Sequence, residues 1–446
     1  MADVSSEDSR DFTRWVRDHA SRLETLDPFD DDDADLAPLL DIVGDARVMA
    51  LGESMHRVHE FYLLRNRVFR FLVRRAGFTA IAIESGFPEA RTVDSWIAEG
   101  GTGLRARLND GITYHFGKCQ EMLDLVSWMR EHTVADGSPL HFYGVDIPDS
   151  AASAAPGIHA ALAVLDTVDP AFARHVRTTV VPIFDYLPED RTGLAQAAPA
   201  IRSYLALDAP ARHELTAGIA DIVERMRALR LDYLASSRGR TAVEFGIRAA
   251  IVARSADAFL SAMTAGATRT WAPANIRDAA MADTVEWILE REARVLVVAA
   301  NGHVQKAPYF APPFVTTPMA TMGQHLADRL GDDLVVVGTT YGGGEAWLHR
   351  PRPEDAPGHS TPFVAELEPL SDASLDAHLH RAVLGDYVID LRTASGGAAR
   401  ALDAVAGTQN GPAVQPAPVR TAFDAIVHLD RIGPWHTWLD ERGLAG

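Results

Sequence analysis

The chain has 446 residues, a formal net charge of −19 at pH 7 and an isoelectric point near 5.3. Long-range repulsion at that charge excludes nucleic acid and anionic membrane surfaces as principal partners, and a neutral or cationic small molecule fits better. With 47% hydrophobic residues the chain can bury a large core, and its length allows two or three domains. One cysteine, Cys119, rules out an internal disulfide and any cysteine-rich metal site.

The polar, acidic start of the chain has no apolar leader behind it, and no apolar run is long enough to span a bilayer, so the expectation is a cytoplasmic protein. A helix is predicted over residues 11–26, followed by the solvated acidic turn Asp30 to Asp33. Val48 to Leu51 then form a short apolar strand that stops at Gly52, with Glu53, Ser54, Met55 and His56 following where a buried strand emerges. From Phe61 the apolar positions Phe61, Leu64, Val68 and Phe71 recur at helical spacing, and Gly77 stands where a left-handed helix cap is wanted. A second apolar strand, Phe78 to Ile83, ends on Glu84 and Ser85.

Two strands joined by one helix lie parallel with a right-handed crossover, which brings both carboxyl ends to one edge of the sheet. Glu53, His56 and Glu84 should therefore meet where open α/β sheets bind their ligands. After them a helix starts at Pro88 and is broken by Gly100 to Gly103. Gly111 to Lys118, with Tyr114 and His115, reads as a loop, and a helix carrying Met122, Val126 and Met129 leads to the strand His141 to Val145, ending on Asp146. Cys119 falls on a helical face and is expected in the core.

Residues 151–270 change texture. Alanine-rich helical periodicity and the lack of a convincing strand predict a helical insertion between a first core segment, 1–150, and a second, 271–446. One expectation is that this insertion walls a cleft through Tyr186, Tyr204, Tyr233 and Arg248, the loop Pro308 to Pro318 being the other candidate wall. The sheet returns with Arg294 to Ala300, the most strand-like run of the chain, which ends on Asn301, Gly302 and His303. A helix near 322–330 and a strand near 334–337 lead to Tyr341 and the glycines 342–344, read as a tight turn beside the site. A helix near 375–383, strands near 387–391 and 424–429, and Trp435 and Trp438 packing the end complete the chain. The fold class expected is α/β, a mostly parallel sheet with flanking helices and a large helical part forming a cleft.

The chemistry-bearing residues exclude two common machineries. No Gly-x-Ser-x-Gly nucleophile elbow occurs, and Gly52-Glu53-Ser54-Met55-His56 lacks the second histidine of the zincin motif. His56, His59, Glu60 and His303 offer metal-ligand chemistry, but with 17 histidines in the chain such a set is easily assembled and no spacing demands an ion. No metal or other cofactor is expected. Hydrolysis here would use activated water.

Gly52-Glu53-x-x-His56, the helix with Arg65, Gly77-Phe78 leading to Glu84, the Arg277-Asp278-x-x-Met281 helix and Asn301-x-His303 together resemble the erythromycin esterase family, over about residues 45–350. The resemblance implies an α/β core with a helical part, and metal-independent hydrolysis of a macrolactone ester by histidine and glutamate. It implies that His56 is the general base on water, that Glu84 or Glu53 fixes its tautomer, and that His303 binds or protonates the reacting oxygen. Arg65 and Arg277 would stabilise negative charge, and with Asn301, His115, Asp146 and Tyr341 they complete the substrate-binding set. Two positions depart from the family pattern: Ala300 stands where a histidine usually precedes the asparagine, and Arg57 where a small residue often follows the first histidine. The alternatives left open are a diverged acid-base enzyme of natural-product biosynthesis (elimination, isomerisation or cyclisation), a metallohydrolase, and a non-catalytic resistance protein that binds a small molecule.

Overall fold

The computed structural model describes residues 4–187, 197–236, 239–264, 273–311, 315–350 and 361–439. Eight strands build its main sheet: β1 (Ser21–Arg22), β2 (Val48–Glu53), β3 (Ala80–Gly86), β4 (His141–Asp146), β5 (Val295–Ala300), β6 (Leu334–Tyr341), β7 (Tyr387–Asp390) and β8 (Ala425–Leu429). Their spatial order is β1-β7-β8-β6-β2-β5-β3-β4. From β8 to β4 all neighbours are parallel, and near the other edge β7 runs antiparallel to both its neighbours, β1 and β8. The fold class is thus the α/β class expected.

The predicted strands are nearly continuous apolar runs because both faces of the sheet are covered, as a parallel sheet requires. Met49, Leu51, Ile81, Ile83, Leu296 and Val298 point to one face, under the helices His59–Ala76 and Gln120–Asp136. Val48, Ala50, Ala80, Ala82, Val295 and Val297 point to the other, under the helices Ser6–His19, Pro273–Leu289 and Met322–Leu330. Gly77 closes its helix at φ +67°, a conformation that costs a residue with a Cβ about 1 kcal/mol or more. The opening helix sits earlier than the periodicity predicts. Ser5 accepts a hydrogen bond from the Asp8 amide and starts it there, and it ends at His19.

β2 and β3, linked by one crossover helix, are parallel but not adjacent. β5 lies between them, pairing Glu53 with Ala300 on one side and Ile83 with Val298 on the other. A segment of the chain more than two hundred residues further on thus completes the sheet edge that β2 and β3 begin.

Between β4 and β5 the described residues are helical, and they close a separate apolar core around Ile158, Leu165, Ile219, Val223, Ile247 and Leu260. The expected boundary at residue 270 lies outside the described residues.

Candidate active site

Four strands deliver polar groups to one edge: Glu53 at the end of β2, Glu84 and Ser85 near the end of β3, Asp146 at the end of β4, and the turn Asn301–Val304 directly after β5. Gly52 is what lets that turn close over β2, since a Cβ there would lie 2.2 Å from the Asn301 amide oxygen. Asn301 in turn bonds the backbone of Thr339, donating to its carbonyl at 2.8 Å and accepting from its amide at 3.2 Å, so it ties β5 to β6.

A cavity of about 480 Å³ opens over this edge. His56, Glu84, Arg277 and His303 line it, with Arg57, Tyr114, Phe116, Asp278, Tyr309, Met319 and Gln415 among the other wall residues. His56 Nδ1 lies 2.5 Å from Glu53 Oε1, and its side chain is 34% exposed against 10% for the glutamate. That contact places the Nδ1 proton on the glutamate side and leaves Nε2 as the acceptor nitrogen.

A second group faces it. Arg277 donates Nε and Nη2 to Asp146, at 2.9 and 2.6 Å, and Nη2 to Glu84 Oε1 at 2.9 Å. Asp146, fully buried, also accepts the Tyr114 hydroxyl at 2.9 Å. Glu84 Oε2 accepts the Ala300 amide at 3.0 Å. His303 sits between carboxylates, with Nδ1 2.9 Å from Asp278 and Nε2 3.4 Å from Glu84, while Arg277 Nη1 approaches Nε2 at 3.2 Å.

Burial opposes charge on His303, but Asp278 and Glu84 outweigh both that and the nearby Arg277, and raise its pKa to about 10. Burial likewise opposes charge on Glu84, yet His303, His56 and Arg277 hold its carboxyl well below the ordinary range. Near neutral pH the cluster therefore holds two cations among three carboxylates. Arg277 Nη1 approaches Nε2 as a donor approaches a neutral ring, but Asp278 on Nδ1 and Glu84 beside Nε2 outweigh that contact, so the charge balance decides for the imidazolium.

Not every expected residue is here. Arg65 is buried in the core, its guanidinium 3.8 Å from the Tyr62 ring centre and against Met122, because its helical position faces the helix Gln120–Asp136 and not the strand end. His115 is buried beneath the loop whose neighbouring residues Tyr114 and Phe116 line the cavity instead. Tyr341 is fully buried with its hydroxyl toward the Gly411 carbonyl, and Asn301 and Asp146 stand behind the lining residues they position.

The cleft-wall expectation for the helical insertion is overturned. Tyr204 bonds Asp257, Tyr233 bonds Asp169 and Arg248 bonds Thr284, and none of these residues or Tyr186 lines the cavity. The predicted 308–318 loop is a hairpin, Tyr309–Ala311 with Val315–Met319, whose Tyr309, Val315 and Met319 supply the wall; residues 312–314 lie outside the described residues.

The metal-ligand set weighed from the sequence does not assemble either. His59 pairs with Glu121 at 2.6 Å, and Glu60 accepts the Gly433 amide. Among the described residues, the three groups of ligand type that come within 4.8 Å of one another are His59, Glu121 and His436, outside the cavity.

The residues missed in the sequence are Arg57, Tyr114, Asp278, Tyr309, Met319 and Gln415. Asp278 was legible in principle, since it follows Arg277 directly, and its carboxylate lies 2.9 Å from His303 Nδ1.

Residues 73–432 match the family model described as Erythromycin esterase. The chain is 30% identical over 348 residues to erythromycin esterase type II of Escherichia coli, covering 76% of this chain and 79% of that one. It is 24% identical over 411 residues to erythromycin esterase type I of the same organism, covering 89% and 93%. Among solved structures, a Bacillus cereus protein shares the fold at a TM-score of 0.79 and 21% identity over 96% of this chain and 99% of its own. A mutant erythromycin esterase in its open conformation does so at 0.74 and 19%, over 93% and 98%.

Proposed function

The chain belongs to the erythromycin esterase family, and from that membership and the geometry of the cavity we propose that it is a hydrolase that opens the ester of a macrolactone with an activated water. The observation that carries the reading is that His56, backed by Glu53, faces the same cavity as His303, Glu84 and Arg277, although the five residues come from four separate stretches of the chain.

In this mechanism His56 Nε2 takes a proton from water as the water oxygen adds to the ester carbonyl carbon. Glu53 stabilises the imidazolium that forms. When the tetrahedral intermediate collapses, the carbon–oxygen bond to the ring alcohol breaks and the departing alkoxide takes the proton back from His56. His303, held protonated at neutral pH by Asp278 and Glu84, faces the reacting group as a hydrogen-bond donor, and Arg277 positions Glu84 and Asp146 beside it. The products are an alcohol and a carboxylic acid on one opened chain, and the acid releases its proton to solvent to leave the carboxylate.

No step uses a serine nucleophile or a metal ion, and Asn301, Asp146 and Tyr114 position the groups that act. The wall of the substrate site is Tyr309, Val315 and Met319 together with Phe116 and Gln415, a largely apolar surface of the kind a macrocycle buries. The helical part, residues 151–270, is a supporting unit with its own core. The experiment is turnover of a macrolide panel by the purified chain and by His56→Asn. Hydrolysis by the first and none by the second, with unchanged unfolding, supports the reading; equal turnover by both removes His56 from the mechanism.

A further inference from the structure

Charge around the cavity does not close. Arg277 and His303 are matched against Asp146, Glu84 and Asp278, so that side of the cavity already carries more negative charge than positive. It has no spare cation to offer an anion. Ester hydrolysis nevertheless creates negative charge twice, on the tetrahedral intermediate and on the carboxylate product.

Across the cavity stands Arg57, the residue directly after His56. Its guanidinium lies 5.4 Å from the Phe116 ring centre and 5.9 Å from that of Trp435, and Phe116 in turn packs against the His56 ring at 4.8 Å. Its Nη2 donates to the Tyr114 carbonyl at 3.2 Å, and its Nε is buried with no partner. Among the described residues no carboxylate comes within ion-pair distance of it, whereas Arg67, Arg277 and Arg329 each have one or two. The backbone at Arg57 is left-handed, φ +64°, and is held there by the Arg57 carbonyl accepting the Trp435 amide and by the flanking Val58–Pro434 bridge. A side chain other than glycine adopts that conformation at a cost, which the surrounding contacts must offset. A guanidinium held between two aromatic rings beside the cavity, with donors unspent, is a site for an anionic oxygen.

We propose that Arg57 is the anion-binding group of this cavity, taking an anionic oxygen of the ligand in a charge-assisted hydrogen bond. The inference rests on the hydrolase reading for the identity of that oxygen, which is either the reacting oxygen, as oxyanion and then product carboxylate, or a carboxylate substituent of the substrate. It does not rest on that reading for the binding itself. Trp435 against the guanidinium supplies the signal.

The test is a fluorescence titration of the whole chain with sodium hexanoate and, separately, with hexanamide, using the wild type, Arg57→Gln, Arg57→Lys and Arg57→Met. Lys keeps the charge and Met keeps the apolar stem between the rings, so a change common to all three reports packing, not charge. Saturable hexanoate binding that falls at least tenfold in Arg57→Gln and Arg57→Met but less in Arg57→Lys, with hexanamide unaffected by the substitutions, supports the assignment. Absence of hexanoate binding to the wild type, affinities within twofold in all variants, or hexanamide bound as well as hexanoate overturns it.

Kinetics on a macrolactone then separates the two sources. A fall in kcat with KM unchanged in Arg57→Gln identifies the reacting oxygen. A rise in KM confined to substrates that carry a carboxylate identifies the substituent. If no macrolactone is turned over, the hydrolase reading fails while the titration still decides Arg57.

Discussion

Replacing Arg277 by methionine keeps most of the side-chain volume and removes every hydrogen bond and charge it makes. In the intact protein Arg277 contacts Asp146 at 2.6, 2.9 and 3.1 Å and Glu84 at 2.9 Å, with Asp146 fully buried and Glu84 nearly so. Removing one partner of a buried ion pair leaves the other charge without compensation, at about 3–5 kcal/mol. The pH dependence identifies the cause. In the wild type the carboxyl of Glu84 is held well below its ordinary value despite burial, chiefly by His303, then His56 and Arg277. Its contribution to stability is therefore present above the unfolded value near 4.5 and lost as pH falls through the lower folded value. In Arg277→Met the folded value rises toward the ordinary one, so the deficit against wild type should be largest at about pH 8 and smaller at about pH 4, below the unfolded value, where the carboxyl of the variant takes up a proton more readily than that of the wild type. Urea unfolding of both proteins at the two pH values measures it. A deficit below about 1 kcal/mol at the higher pH, or one equal at both, would refute the ion-cluster account.

The raised His303 pKa, about 10, gives a stabilising contribution present in full below its ordinary 6.5 and lost as pH rises through about 10. The alkaline limb of kcat/KM should fall near that pH in the wild type and move to lower pH in Asp278→Asn, which removes the partner of Nδ1; a limb near neutrality in the wild type would show an uncharged ring. Dialysis against a chelator, or treatment with a serine-directed phosphofluoridate, should leave turnover unchanged, and loss restored by added zinc would favour a metallohydrolase. Tyr309→Ala and Met319→Ala should raise KM for a macrolide roughly tenfold while kcat stays, through lost apolar contact at the cavity wall. Tyr204→Phe, in the helical core, should change unfolding and leave KM as it was.

The strand ends were legible because a parallel sheet buries both faces: each strand is an apolar run, and the first polar residues after it mark the active edge. That logic placed Glu53, His56, Glu84, Asp146 and His303 at one edge. It could not show that β5 separates β2 from β3, because the strand is supplied by a return of the chain after the helical insertion. Motif spacing also cannot distinguish a residue facing the cavity from one facing the core on the same helix, which is how Arg65 was misplaced. The loop 111–118 was identified, but which of its residues point outward depends on the left-handed backbone at Tyr114 and His115, φ +56° and +64°, a feature with no glycine to announce it. Arg57 carries the same concealed conformation. The cavity wall went to the hairpin and not to the larger helical part, since size in sequence says nothing about which face a unit packs against.

The central claim is that this edge adds water across an ester. Incubation of a macrolide with the purified chain in water enriched in oxygen-18, followed by mass spectrometry of the product, tests it most directly. The expected product is heavier than the substrate by one labelled water, with the label in the new carboxylate, and none forms with His56→Asn. A product of unchanged mass, or one that has lost water, would contradict it and point to isomerisation or elimination at the same site.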